Sequence, residues 1–158
     1  MKREQLKELL CDMSMDEKIG QLLQLSNDFY ESDALLTGPS AVLSLSEQEI
    51  YQAGSVLSVF EPEKIKEIQT KYMKKQPHHI PLLFMGDIIN GYKTIFPIPL
   101  AQGCTFNPEM VKKCAEVSAR ETAAAGLHVT FSPMVDLVRD ARWGRDMEST
   151  GEDSYLNS

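Results

Sequence analysis

Apolar residues recur first at helical spacing. Leu6, Leu9, Leu10 and Met13 fall three or four apart, the period of one helix face. Ser14-Met15-Asp16-Glu17 then has the form of a capping box, in which the serine oxygen and the glutamate carboxylate each satisfy a free amide at a helix start. Ile19, Leu22 and Leu23 supply the apolar stripe behind it. From Ser32 to Ser46 the periodicity fades, and Gly38-Pro39-Ser40 predicts mostly loop.

From Gly54 onward the pattern alternates between strand and helix. Gly54–Phe60 is a short β-prone run, followed by Pro62, which suits the first turn of a helix. Ile65, Ile68 and Tyr72 share one face of that helix. Ile80–Met85 is apolar throughout, as a parallel strand covered on both faces should be. Asn107-Pro108-Glu109 predicts the next helix start, with Met110, Cys114 and Val117 facing inward and Gly126 as the stop. Leu127–Val135 reads as a third strand. The order β-α-β-α-β predicts an α/β fold with a parallel sheet and crossover helices. Three such strands cannot close a barrel, for which about 250 residues is usual.

Composition narrows the function classes. The chain has 158 residues with 16 Lys plus Arg against 23 Asp plus Glu, a net charge of −7. That balance argues against a nucleic-acid partner or an anionic membrane, both of which want a basic face. With 42% hydrophobic and 25% charged residues the composition is ordinarily globular. No apolar run approaches the ~20 residues that a bilayer crossing needs. The charged start, Met1-Lys2-Arg3-Glu4, has no secretory character. Three cysteines, Cys11, Cys104 and Cys114, fit no metal spacing; they are expected to be small buried residues in a reducing, cytoplasmic setting.

Ligands of parallel α/β folds bind at the carboxyl ends of the strands. Two predicted strands end in acidic residues there, Gly86-Asp87 and Asp136. Beyond Asp136 comes Arg139-Asp140-Ala141-Arg142-Trp143-Gly144-Arg145, then Glu148 and Gly151-Glu152-Asp153. A carboxylate accepts from vicinal hydroxyls, arginine donates as a fork, and an indole packs on C–H surfaces. The segment therefore suits a hydroxyl-rich ligand. It equally suits an ion-pair cluster of Asp136, Arg139, Asp140 and Arg142 that only orders a loop. Glu148, Glu152 and Asp153 read as helix-start caps rather than a cation site. His78 and His79 read as a solvated turn, and His128 as a strand-wall residue.

These residues also carry a resemblance. Ile80–Leu83 with Gly86-Asp87-Ile88-Ile89-Asn90-Gly91-Tyr92-Lys93-Thr94-Ile95-Phe96-Pro97 resembles the second barrel strand and loop of glycoside hydrolase family 3. Pro133–Asp136 with Arg139–Arg145, Glu148 and Gly151–Asp153 resembles that family's next signature block, and Met15–Leu22 its N-terminal helix. The bacterial β-glucosidases are the most similar branch.

The resemblance implies an incomplete (β/α)8 barrel of TIM type. In it, residues 1–53 are lead-in helices and loop, and 54–158 about the first three βα units. It implies hydrolysis, with retention, of terminal β-D-glucosyl residues from a β-glucoside or oligosaccharide, without a cofactor. Asp87 matches the aspartate that accepts from the hydroxyls of the non-reducing sugar, and Arg145 an arginine that donates to it. The family's catalytic carboxyls and its Lys-His pair match nothing in this chain, so no catalytic residue is assigned here, and the missing remainder of the barrel is the implied partner. Asn90 stands where the family commonly has histidine, and Ser154 where proline is frequent. A non-catalytic sugar-binding module, and a β-xylosidase or β-N-acetylglucosaminidase, are the alternatives.

Overall fold

The computed structural model describes residues 2–30 and 42–158; most of the loop expected over Ser32–Ser46 lies outside them. The fold is mixed α/β with a parallel sheet, and the chain divides into two compact units, Met1–Met85 and Gly86–Ser158.

The first unit opens with α1 (Arg3–Asp12) and α2 (Met15–Gly20). Ser14 caps α2 as its sequence predicts: its Oγ accepts from Glu17 N at 3.2 Å, and Glu17 Oε2 accepts from Ser14 N at 2.7 Å. The stripe assigned to this region is a different matter. The helix ends at Gly20, Ile19 and Leu22 are exposed, and Gln24–Ser26 forms a strand, β1. Of the earlier stripe only Met13 is buried, while Leu6 and Leu10 face solvent.

Strands β2 (Ser55–Leu57) and β3 (Leu83–Gly86) follow, separated by α4 (Pro62–Lys75), with a short α3 (Glu47–Ile50) before β2. β1 and β2 pair in parallel with Leu25 opposite Val56, and β2 pairs with β3 with Val56 opposite Phe84. These three central residues are all buried. Ile65, Ile68 and Tyr72, the predicted inner face of α4, are buried as well.

Both predicted strands are shorter than their apolar runs. Ser58 has φ +66°, a left-handed conformation that turns the chain out of β2. Before β3, the amides of Ile80 and Leu82 donate to side chains, Gln76 Oε1 at 2.8 Å and Gln69 Oε1 at 3.0 Å, so neither enters the ladder. Nor is this strand covered on both faces: Leu82 and Phe84 are buried, but Leu83 is 45% exposed. Gly54 is required by a close approach, since a Cβ there would lie 2.1 Å from the Gln21 carbonyl oxygen.

His78 departs from its expected solvation. Its Nε2 lies 3.2 Å from Glu17 Oε2, and its side chain is 18% exposed. The cysteines depart too: Cys11 and Cys104 are exposed and Cys114 is half-buried.

In the second unit α5 (Pro99–Gly103) precedes α6 (Pro108–Ala125). Asn107 Oδ1 accepts from Met110 N at 3.1 Å, and Gly126 closes the helix at φ +98°, both as the sequence predicts. The expected strand over Leu127–Val135 contracts to β4, Val129–Thr130. Leu127 N is held by Thr122 O at 3.2 Å at the helix end, Ser132 N donates to Thr130 Oγ1 at 3.3 Å, and Pro133 has no amide to give.

Tyr72 locks α4 in place. It is 1% exposed, its hydroxyl donates to the Ala53 carbonyl at 2.6 Å, and burial pushes its pKa up to about 12. Tyr72→Phe is expected to lower unfolding free energy by about 1–3 kcal/mol, the cost of leaving a buried acceptor unpaired. Urea unfolding of the two proteins side by side checks this; equal midpoints would show that the Ala53 carbonyl does not depend on Tyr72.

Candidate sugar site

Asp87 is the first residue after β3, at that strand's carboxyl end, and it is exposed. The backbone on either side of it is tied down. Gly86 O accepts from Phe131 N at 3.3 Å, and Ile88 O accepts from Ser132 Oγ at 2.7 Å. Beyond Ile88 the chain makes a closed lasso. Phe96 N donates to Asn90 O at 2.7 Å, Asn90 Nδ2 donates to Phe96 O at 3.3 Å, and Gly91 and Ile95 form an antiparallel bridge. Gly91 has φ +117°, and a Cβ would meet the Thr94 carbonyl oxygen at 2.0 Å, so only glycine turns here without strain. Asn90 thus closes the lasso.

Arg145 immediately precedes a short 3-10 turn, Asp146–Glu148. Its Nε and Nη2 both donate to Glu148 Oε2, at 3.0 and 2.6 Å. This hydrogen bonding holds Arg145 above its ordinary pKa, aided by the charges of Glu148, Asp136 and Asp87, and holds Glu148 below its own. Asp87 and Arg145, proposed from sequence as sugar ligands, therefore lie close enough to act on each other electrostatically.

The acidic and basic cluster around them resolves into separate roles. Asp140 pairs with Arg142, Nε to Oδ1 at 2.9 Å and also Nη2 to Oδ2; both are local to the loop. Asp136 contributes its carbonyl, which accepts from Ser149 Oγ at 2.8 Å. The ion-pair reading thus holds for Asp140 and Arg142 and not for the four residues together. Asp153 caps a turn rather than the helix start expected there: its Oδ1 accepts from Tyr155 N and Leu156 N, each at 2.9 Å. Glu148 is instead the partner of Arg145. Its Arg-x-x-Glu spacing, one helical turn, was the available signal. Ser149 is fully buried and also accepts from Gly151 N at 3.2 Å, which makes it the pivot of the loop; a lone serine offers no such signal in sequence.

A cleft of about 470 Å³ also opens in this unit, lined by Asn90, Phe96, Ala115, Leu127 and His128 among others. Neither Asp87 nor Arg145 lines it.

Comparison with known proteins bears on this site. The model of the glycosyl hydrolase family 3 N-terminal domain matches residues 14–158. A periplasmic beta-glucosidase of Salmonella typhimurium is 38% identical over 153 residues, 96% of this chain and 19% of that protein. A putative beta-xylosidase of Formosa agariphila is 31% identical over 170 residues, covering 98% of this chain and 22% of its own length. Among solved structures, a mutant beta-glucosidase of Listeria innocua in complex with laminaribiose matches with a TM-score of 0.93 at 52% identity, over 100% of this chain and 22% of that one. The beta-glucosidase of the same organism in complex with glucose matches equally, with a TM-score of 0.93. The chain thus spans about a fifth of the length of these relatives.

The carboxylates of this unit set an acid limit. Glu148 and Glu121 are held below the ordinary value of 4.5 and Asp140 below 3.8, each by hydrogen bonds from its neighbours. A carboxyl with a depressed folded pKa contributes stability above its unfolded value and loses it as pH falls through the folded one. The melting temperature is therefore expected to fall as pH is lowered below 4.5. Glu148→Gln should make that decline shallower; an unchanged slope across matched thermal melts would show that the Arg145–Glu148 pair contributes nothing to it.

Proposed function

The chain belongs to glycoside hydrolase family 3, and on that premise we propose that it supplies the terminal-sugar subsite of a retaining β-glucosidase. In this reading it forms about the first three βα units of a (β/α)8 barrel. The observation that carries it is the joint placement of Asp87 and Arg145: an exposed carboxylate at the end of a parallel strand, within the field of a guanidinium.

Each group has a defined task. The Asp87 carboxylate accepts from two vicinal hydroxyls of the non-reducing glucosyl ring. Arg145 turns its Nε–Nη2 edge to Glu148, which leaves Nη1 to donate to the same sugar. The bond-breaking carboxyls, which in a retaining enzyme stand about 5–5.5 Å apart on either side of the glycosidic bond, come from outside these 158 residues. Support for this lies in the sequence. The family's nucleophile is the aspartate of a Ser-Asp-Trp-like segment, whereas the single tryptophan here, Trp143, follows Arg142. Glucoside is favoured over xyloside because, over nearly the whole chain, two bacterial glucosidases reach 52% and 38% identity where a xylosidase reaches 31%.

By itself the chain is expected to turn over no aryl β-glucoside, because residual binding contacts do not replace a nucleophile. Steady hydrolysis by rigorously purified chain, above a heat-killed control, would overturn this. Within the enzyme completed by the remaining barrel units, Asp87→Ala removes about two hydrogen bonds to a charged acceptor, roughly 1.5–3 kcal/mol each. A loss on the order of 10²–10⁴ in kcat/KM is expected, with little change in melting temperature because Asp87 is exposed. A loss below about tenfold, with a lowered melting temperature, would make Asp87 a loop cap instead.

A further inference from the structure

The lasso that follows Asp87 is tethered from a distance by one side chain. Glu121 lies on α6, 28 residues from Lys93, and is half-buried. Its Oε2 accepts from Lys93 N at 2.9 Å and from Thr94 N at 2.8 Å, and its Oε1 accepts from Thr94 Oγ1 at 2.6 Å. Three donors at the lasso tip therefore converge on one carboxylate. Those donors keep it ionised, and hydrogen bonds to an ionised acceptor are about twice as strong as neutral ones.

We infer that Glu121 is a positioning residue for the sugar site: it holds the Asn90–Phe96 lasso closed, and through it the segment that begins at Asp87. The inference rests on the reading of Asp87 as a sugar ligand. Asp87 is fixed on its N-terminal side by β3 and at Ile88 by Ser132. Its carboxylate faces solvent, so no packing fixes it, and its precision depends on how well the following backbone is ordered. The lasso neck is held by the Asn90–Phe96 pair and the Gly91–Ile95 bridge. Whatever order the lasso lacks before binding is deducted from affinity when the sugar arrives. Glu121 supplies that order in advance, without touching the sugar.

The test uses the 158-residue chain at low micromolar concentration, with glucose as the probe, titrated by saturation-transfer NMR. Glu121→Ala is expected to weaken glucose binding about tenfold, to speed amide exchange at Lys93 and Thr94, and to lower the melting temperature through the loss of three hydrogen bonds. Glu121→Gln keeps an oxygen for the two amides and should recover most of the affinity. Thr94→Ala removes one of the three bonds from the other side and decides the question should Glu121→Ala unfold; a loss of about threefold is expected. If Asp87→Ala abolishes binding while the Glu121 and Thr94 variants bind as the parent does, Glu121 has no positioning role and the sugar-ligand reading stands. If Asp87→Ala binds glucose as the parent does, or the parent gives no signal, the sugar-ligand reading fails and this inference falls with it.

Discussion

Leu82 gives both of its backbone hydrogen bonds to one side chain, and the placement of the site follows from that. Gln69, on α4, accepts from Leu82 N at 3.0 Å and donates to Leu82 O at 3.1 Å. Leu82 is thereby withheld from the ladder, and pairing starts at Leu83, opposite Ser55. Strand side chains alternate between faces, so a slip of one residue would exchange every inward and outward position. With this register Phe84 is buried opposite Val56, and the strand ends at Gly86. Asp87 then leaves the strand end as the first unpaired side chain.

The same device recurs wherever the chain leaves regular structure. Loop amides must find acceptors or be solvated, and here side-chain oxygens supply many of them. Gln76 Oε1 takes the amides of His78 and Ile80, Glu121 those of Lys93 and Thr94, and Asp153 those of Tyr155 and Leu156. Glu17 and Glu49 do likewise at their capping boxes. The surplus of carboxylates behind the net charge of −7 is thus partly structural. Ionised carboxylates serve as acceptors for the backbone, which is a different use from ion pairing and is less sensitive to salt than exposed charge pairs are.

What the sequence discloses and what it hides follow from range. The Ser14–Glu17 box, the Asn107 cap, the Gly126 stop and the buried face of α4 are local features, written within one or two helical turns, and all are legible. Strand limits are not, because they depend on which distant group takes each amide: Gln69 and Gln76 shorten β3, and the φ of Ser58 shortens β2. β1 was hidden for a related reason, since Leu22-Leu23-Gln24-Leu25 is too short to separate the end of a helix from the start of a strand. At the site, Asp87 and Arg145 could be singled out by their motifs. Glu121, Ser132 and Ser149 could not, because each acts on a residue 13 to 44 positions away.

The Arg145–Glu148 pair illustrates why contacts near this site are better read as geometry than as stability. Its side chains are 54% and 22% exposed, and exposed ion pairs contribute only about 0–1 kcal/mol. Such a pair does little to hold the fold together. Its consequence is directional: two parallel N–H groups on one carboxylate oxygen fix the plane of the guanidinium and so the heading of its remaining edge. Asp87 is in the same position, exposed and within reach of the charge on Arg145, and equally unable to stabilise the fold by much. Two groups of opposite sign at one strand end, neither contributing much to folding, are accounted for in the proposed reading by what they would hold rather than by what they hold together.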